Sequence, residues 1–409
     1  VATANEKLFD EFVKQQVQLM RMSRGEIGVL MRVIGEADAE LHGRLVSQLK
    51  NIRGSGRSVN FTTKQYKAMV QSFRKTRASM LKLAGKDIER IMSETVKVEL
   101  DASLAILRNA TPVQINFAAP SLTATRELTA GSPFGSVNSM QTLEQWIGTV
   151  AIADSNRLVA TLQAGFAQGE TIPQIEARLN DAFELTKQNV NIIVRTGINH
   201  ASNTARGEVF KENSDVISAL RWTSTLDGRT SAICRDRDGR MGPADGTASM
   251  DGVPEPHLSP PDATPPAHPR CRSTKIALLD GQKIADGLPN RPTMTDTRTG
   301  AKRQIDFERQ ARAQARADGR AWSGMSNQQK RPYRKDVRSA WAKEHIGRVP
   351  GETTYDQWLR RQEAKFQDDV LGKAKGKMYR DDPGMTMANF VDRRGNELTL
   401  AELAEVSSS

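Results

Sequence analysis

Cysteine and aromatic residues are scarce in this chain of 409 residues, which has two cysteines and 5% Phe, Trp and Tyr. Two thiols cannot build a disulfide framework, which excludes the small stapled secreted scaffolds and leaves a reducing compartment or a dedicated use of these cysteines. The hydrophobic share, 38%, is below the roughly 45–50% of a dense globule. An elongated or assembly-dependent protein is expected. No apolar run approaches the roughly 18–20 residues of a membrane span, and V-A-T-A-N-E-K (1–7) lacks a charged-then-apolar leader. A soluble protein with no membrane partner follows as the expectation. The P-loop, G-x-S-x-G and H-E-x-x-H signatures are also missing, which removes the enzyme classes that rest on them.

What is present is length and positive charge. The chain is long enough for two or three units, and 59 Lys+Arg against 48 Asp+Glu give a net charge of +11. That excess favours a polyanionic partner, nucleic acid first.

From Leu8 to about Arg108 apolar residues recur at helical spacing, as in Leu30, Ile34, Ala37, Leu41, Leu45 and Leu49, and again in Ile88, Ile91, Met92, Thr95, Val98 and Ala102. Long antiparallel helices are predicted, joined by a connector over 51–60. Pro112, Pro120 and Pro133 predict a linker or extended arm without helix over 111–140. T-I-P-Q (171–174) is a helix start with a capping box, and predicts a helix to about Phe183 and another from Lys187 to Lys211. On that second helix Arg195, Asn199, Ser202, Asn203 and Arg206 share one face. Such a row is suited to hydrogen-bonding the backbone of a segment packed on it. His200 beside them reads as a core or interface histidine.

Residues 219–225 read as a strand carrying Trp222, L-D-G-R-T (226–230) as a tight turn, 232–241 as a further turn and strand, and 270–279 as a returning strand. Cys234, His268 and Cys271, with His257 as a fourth ligand, form a candidate zinc set, because zinc takes about four N/S ligands and H-x2-C supplies two from one turn. A Cys234–Cys271 disulfide or near-contact, and two unlinked thiols, are the other readings of the same residues.

Between Arg298 and Arg348 there are fourteen Lys/Arg against five Asp/Glu, with Trp322, Tyr333 and Trp341 interleaved. Arg309, Arg312 and Arg316 on one helix, and Lys330, Arg331, Arg334, Lys335 and Arg338 on the next, are the candidate contacts to a phosphate backbone. T-Y-D-Q (354–357) and T-L-A-E (399–402) are further capping boxes, and 390–398 reads as a short hairpin.

The order R-T-x2-N-x-A-x3-A-R (195–206), W-x4-D-G-R-T-S-x2-C (222–234) and P-P-x-H-P-x-C-R (265–272) resembles the minor head, or head-morphogenesis, proteins of tailed bacteriophages, the group of the phage Mu F protein. The likeness is strongest over about 140–280 and extends to 354–372. It implies Arg195, Asn199, Asp227, Arg229, Thr230, Cys234, His268, Cys271 and Arg272 as a shared core. It also implies a virion component inside the head near the portal vertex, assembled in the host cytoplasm, with portal, capsid or scaffold proteins and double-stranded DNA as partners. Where that family continues Cys-Arg-Cys, this chain has Ser273, one thiol fewer for a metal.

The expected architecture is mainly α. It comprises a helical N-terminal region (1–110), a linker or arm (111–140), a small central α+β module (141–290) and a basic helical C-terminal extension (291–409). The expected function is structural, not enzymatic, with no cofactor unless the zinc is present. The rival reading is a metal-dependent nuclease or transferase with a site built from His200, Asp227, Arg229, Cys234 and His268.

Overall fold

A computed structural model describes residues 3–53, 64–111, 115–247, 249–258, 264–279 and 289–407. Two long helices open the chain, α1 (Ala4–Arg53) and α2 (Lys64–Ala110). At 1.5 Å per residue, the 50 residues of α1 span about 75 Å. The connector expected over 51–60 lies outside the described residues except for 51–53, which extend α1. The predicted stripe of α1 is buried at Leu30, Ile34, Leu41, Leu45 and Leu49. That of α2 drifts: Val98 is exposed, and Val96, Glu99, Leu100 and Ser103 turn inward instead.

The expectation of no helix between 111 and 140 is overturned by α3 (Leu122–Gly131), which is followed by the hairpin β1 (Phe134–Ser136) and β2 (Ser139–Gln141). The prolines bracket α3 and never interrupt it. Pro120 precedes the N-cap Ser121, whose hydroxyl accepts from the Ala124 amide at 3.3 Å, and Pro133 follows the last turn.

Next come α4 (Leu143–Ala167) and α5 (Ile172–Glu212). The Thr171–Gln174 capping box forms as predicted. The expected break near 184–186 is absent, because Leu179, Phe183, Thr186 and Val190 carry one buried stripe straight through it. A single helix of 41 residues results. Helices α1, α2, α4 and α5 pack along one another, and one apolar cluster runs from Leu8 and Phe12 through Ile91 and Val194 to Ile276.

The strands β3 (Ile217–Thr223), β4 (Leu226–Asp227), β5 (Met241–Gly242) and β6 (Thr274–Leu279) surround a short helix α6 (Ala232–Arg237). Helix α6 replaces the turn and strand predicted over 232–241; its run A-I-C-R-D-R has no period-2 alternation and buries Ala232, Ile233 and Cys234 together. The sheet order is β5-β3-β6, all antiparallel, with Trp222 opposite Lys275 and Thr223 opposite Thr274. β7 (Pro289–Met294) then pairs with β4 in parallel and with β8 (Ile346–Pro350) antiparallel. Between β7 and β8 stand α7 (Gly300–Ala317) and α8 (Asn327–His345), and α9 (Tyr355–Arg360), α10 (Ala364–Leu371), α11 (Lys373–Asp381) and α12 (Leu400–Ser407) complete the chain. The fold is mainly α, as expected. Both later capping boxes form, and Val391 bridges Glu397 at the predicted hairpin. No helix among the described residues is long and apolar enough to cross a membrane.

Candidate metal centre and the motif core around it

The polar row on α5 holds the edge of β6 and the loop before it. Asn199 Nδ2 donates to the Ser273 carbonyl at 3.3 Å, and Asn203 Oδ1 accepts from the Lys275 amide at 3.2 Å and from Thr274 Oγ1 at 3.1 Å. Arg206 reaches Thr274 Oγ1 and donates through Nε to Glu99 Oε1 at 2.8 Å, while Ser202 donates to the other Glu99 oxygen at 3.1 Å. Both ions of the Glu99–Arg206 pair are fully buried. The expected contact with the packed backbone is made by Asn199 and Asn203, and by Arg206 through the Lys275 carbonyl at 3.5 Å, whereas Ser202 serves Glu99 instead. Arg195 departs from it, spending its Nε on Asn191 Oδ1 at 2.8 Å. Thr196 supplies an anchor instead, accepting from the Arg270 amide at 2.9 Å.

His200 is buried, stacks on Phe134 with ring centroids 4.9 Å apart, and meets the Thr129 carbonyl at 3.3 Å. Burial lowers its pKa to about 4, with the Thr129 hydrogen bond opposing. It is a core histidine, and the structure does not bring it to the thiols as the rival enzyme site requires.

Asp227 is the hub of the turn. Arg272 grips its carboxylate with two parallel bonds of 2.5 and 2.8 Å, the Arg229 amide donates at 3.0 Å, and Thr230 Oγ1 approaches at 3.2 Å. Such forked arginine–carboxylate pairs are among the strongest charge-assisted bonds. Burial opposes ionisation of Asp227, yet the two arginines hold its pKa below the ordinary value. A carboxylate so fully engaged is poorly placed to act as a general base.

Trp222, fully buried, donates from Nε1 to Ser224 Oγ at 2.9 Å; that hydroxyl donates onward to the Cys234 carbonyl at 2.7 Å and touches Ser273 Oγ at 3.0 Å. The sequence reading missed Asp238, which accepts from the Ser224 amide at 2.7 Å, from Arg291 at 2.5 Å and from the Tyr355 amide at 2.6 Å. It thereby ties β3, β7 and α9 together. The turn and strand expected over 232–241 assigned Asp238 no such partners.

Above this floor three metal-ligand side chains converge. Cys234 on α6 lies 3.2 Å from His268 Nε2 and 3.7 Å from Cys271 Sγ. The sulfurs are in contact and unbonded. Both thiols are buried, and His268 is half-buried. His268 Nδ1 bonds the Pro269 carbonyl at 2.8 Å, which turns Nε2 toward the sulfurs. Burial and then the adjacent Cys271 push the Cys234 thiol up. For Cys271 burial also resists ionisation, but hydrogen bonds to Cys234 and His268 prevail and hold it down. His257, expected as the fourth ligand, is elsewhere: it bonds the Val253 carbonyl at 2.8 Å and Glu255 at 3.2 Å, beside the bridge from Met241.

The basic candidates sit apart, on the α7–α8 hairpin. Arg309, Arg312, Arg316, Arg331, Lys335 and Arg338 are exposed, while Lys330 and Arg334 are half-buried over the Trp322 ring at 5.5 and 5.6 Å.

No curated protein and no solved structure matches the chain significantly. A family model does, that of Phage Mu protein F like protein, over residues 156–276. The match begins within α4 and ends within β6, so it covers the polar face of α5, the Asp227 turn and the cysteine–histidine cluster. Residues 156–276 of this chain are therefore similar to the Phage Mu protein F like family.

Proposed function

We propose that the chain is a minor structural component of the phage head, seated at the portal vertex, whose α7–α8 hairpin lies against packaged double-stranded DNA. The observation that carries the DNA contact is an open concavity of about 510 Å³ lined by Asn327, Arg331, Arg334, Lys335 and Arg338. These four cations recur at helical spacing along one face of α8, where they follow a phosphate backbone without reading bases. The hairpin behind them has only a small core of Phe307, Ala311 and Val337, with Trp322, Tyr333 and Trp341 packed against it. Its outer surface is left for a partner.

Anisotropy of the full chain with two unrelated DNA duplexes across a salt series tests this reading. Each neutralised phosphate contributes about −0.9 to the slope of log K against log salt, so the triple change R331A/K335A/R338A should flatten the slope by about 2.7 for both duplexes. Binding that ignores salt, or a variant with the parent slope, sinks the DNA contact. Heads assembled without a portal should lack the chain; equal incorporation overturns the vertex placement.

A further inference from the structure

We infer that Cys234 Sγ, His268 Nε2 and Cys271 Sγ bind one zinc ion, whose fourth position is filled by water in the small cavity beside them.

Two thiolates on a tetrahedral zinc, each at about 2.3 Å, lie about 3.8 Å apart, whereas a disulfide requires about 2.05 Å. The observed separation is 3.7 Å. A thiolate and an imidazole nitrogen on the same ion stand roughly 3.5 Å apart, close to the 3.2 Å between Cys234 and His268. All three ligand atoms fall within 4.8 Å of one another.

The surroundings are those of a ligand set held in advance. The bond from His268 Nδ1 to the Pro269 carbonyl fixes the tautomer that leaves Nε2 free to coordinate. A turn closed by the Cys271 amide on the His268 carbonyl at 3.0 Å presents both side chains together. That turn is pinned to α5 through Thr196 and to β1–β2 through the Val137 amide on the Ala267 carbonyl. Cys234 arrives from the opposite side on α6, so the ion joins two segments 34 residues apart.

Cys234 and His268 also line a cavity of about 30 Å³ with Arg229, Thr230, Ser231 and Arg272. That volume holds about one water, the usual fourth partner where a protein supplies three ligands. Arg272, which lines this cavity, holds the Asp227 carboxylate. A set of two sulfurs and one imidazole selects a soft or borderline ion over magnesium or calcium. Binding displaces the protons that the sulfurs and His268 otherwise share, so uptake should release protons.

The test is metal analysis of the full chain purified without chelator, followed by cobalt substitution. We expect about one zinc per chain, and in the cobalt form the visible bands and sulfur-to-metal charge transfer of a tetrahedral thiolate site. His268→Ala should weaken zinc binding at least about 100-fold, since changes that merely misorient a ligand already cost about 10–100-fold. His257→Ala should bind as the parent does. Because a ligand variant can misfold, the parent is also titrated with zinc against a competing chelator after reduction. Failure to take up zinc in that titration, a native Cys234–Cys271 disulfide, or stoichiometric copper or iron in place of zinc would each overturn the assignment.

Discussion

The α5–β6 core and the α7–α8 hairpin both hold many cations, and they use them in opposite ways. Around α5 the charges close on each other: Arg206 on Glu99, Arg272 on Asp227, and Arg77 on Asp38 and Asp154. On α8 the charges face outward, and among the described residues Arg331 and Lys335 meet no carboxylate. A count of lysine and arginine is therefore silent about partners until burial is known. In the core an arginine substitutes for packing; on the hairpin it is a surface available to an anion.

The comparison breaks most sharply at Glu99. Its carboxylate serves Arg206, Ser202 and Ser103 in a site without solvent. Glu99→Ala would strand a buried guanidinium and should cost about 3–5 kcal/mol, read from the urea midpoint. The double change Glu99→Leu, Arg206→Met should cost less than the sum of its parts, because it removes both charges. If Glu99→Ala costs no more than an ordinary surface change, the core charges are not the closed network described.

Glu99 also marks where the sequence stopped being legible. The periodicity of α2 points to Val98 as inward, yet one residue further on Glu99 is buried and Val98 is exposed. A glutamate cannot be recognised as internal until its arginine, 107 positions away, is known to face it. The row on α5 was readable because all its members lie on one helix. The proposed zinc ligands were largely readable: Cys234, His268 and Cys271 are all in the candidate set, and only the fold shows that His257, named as the fourth, bonds Val253 and Glu255 instead. Helix α3 was lost because prolines were read as breakers when they stood at its two ends.

A smaller effect follows from His200. Its pKa is about 4 in the folded chain against 6.5 when unperturbed. Between these values the unfolded chain binds a proton that the folded chain refuses, so stability is complete above pH 6.5 and declines as pH falls toward 4. The loss amounts to about 3 kcal/mol. Urea midpoints between pH 7 and 4 should fall more steeply for the parent than for His200→Leu, in which this titration is gone. Parallel curves would mean that His200 is protonated within the fold, contrary to its stacking on Phe134.

The smallest effects belong to α8, and they test whether the outward charges are truly free. Arg331→Ala and Lys335→Ala should each change folding stability by less than about 0.5 kcal/mol, as surface positions without partners do. Arg334, between them on the same face, differs: it is half-buried, bonds Glu308 at 2.6 Å and lies over Trp322. Its replacement by alanine should cost about 1 kcal/mol, from an ion pair and a cation–ring contact together. Thermal melts of the three variants then separate a residue that builds the hairpin from residues the hairpin presents. Equal losses at all three positions would mean that Arg331 and Lys335 are held by contacts of their own, and the concavity would no longer qualify as a surface kept open for phosphate.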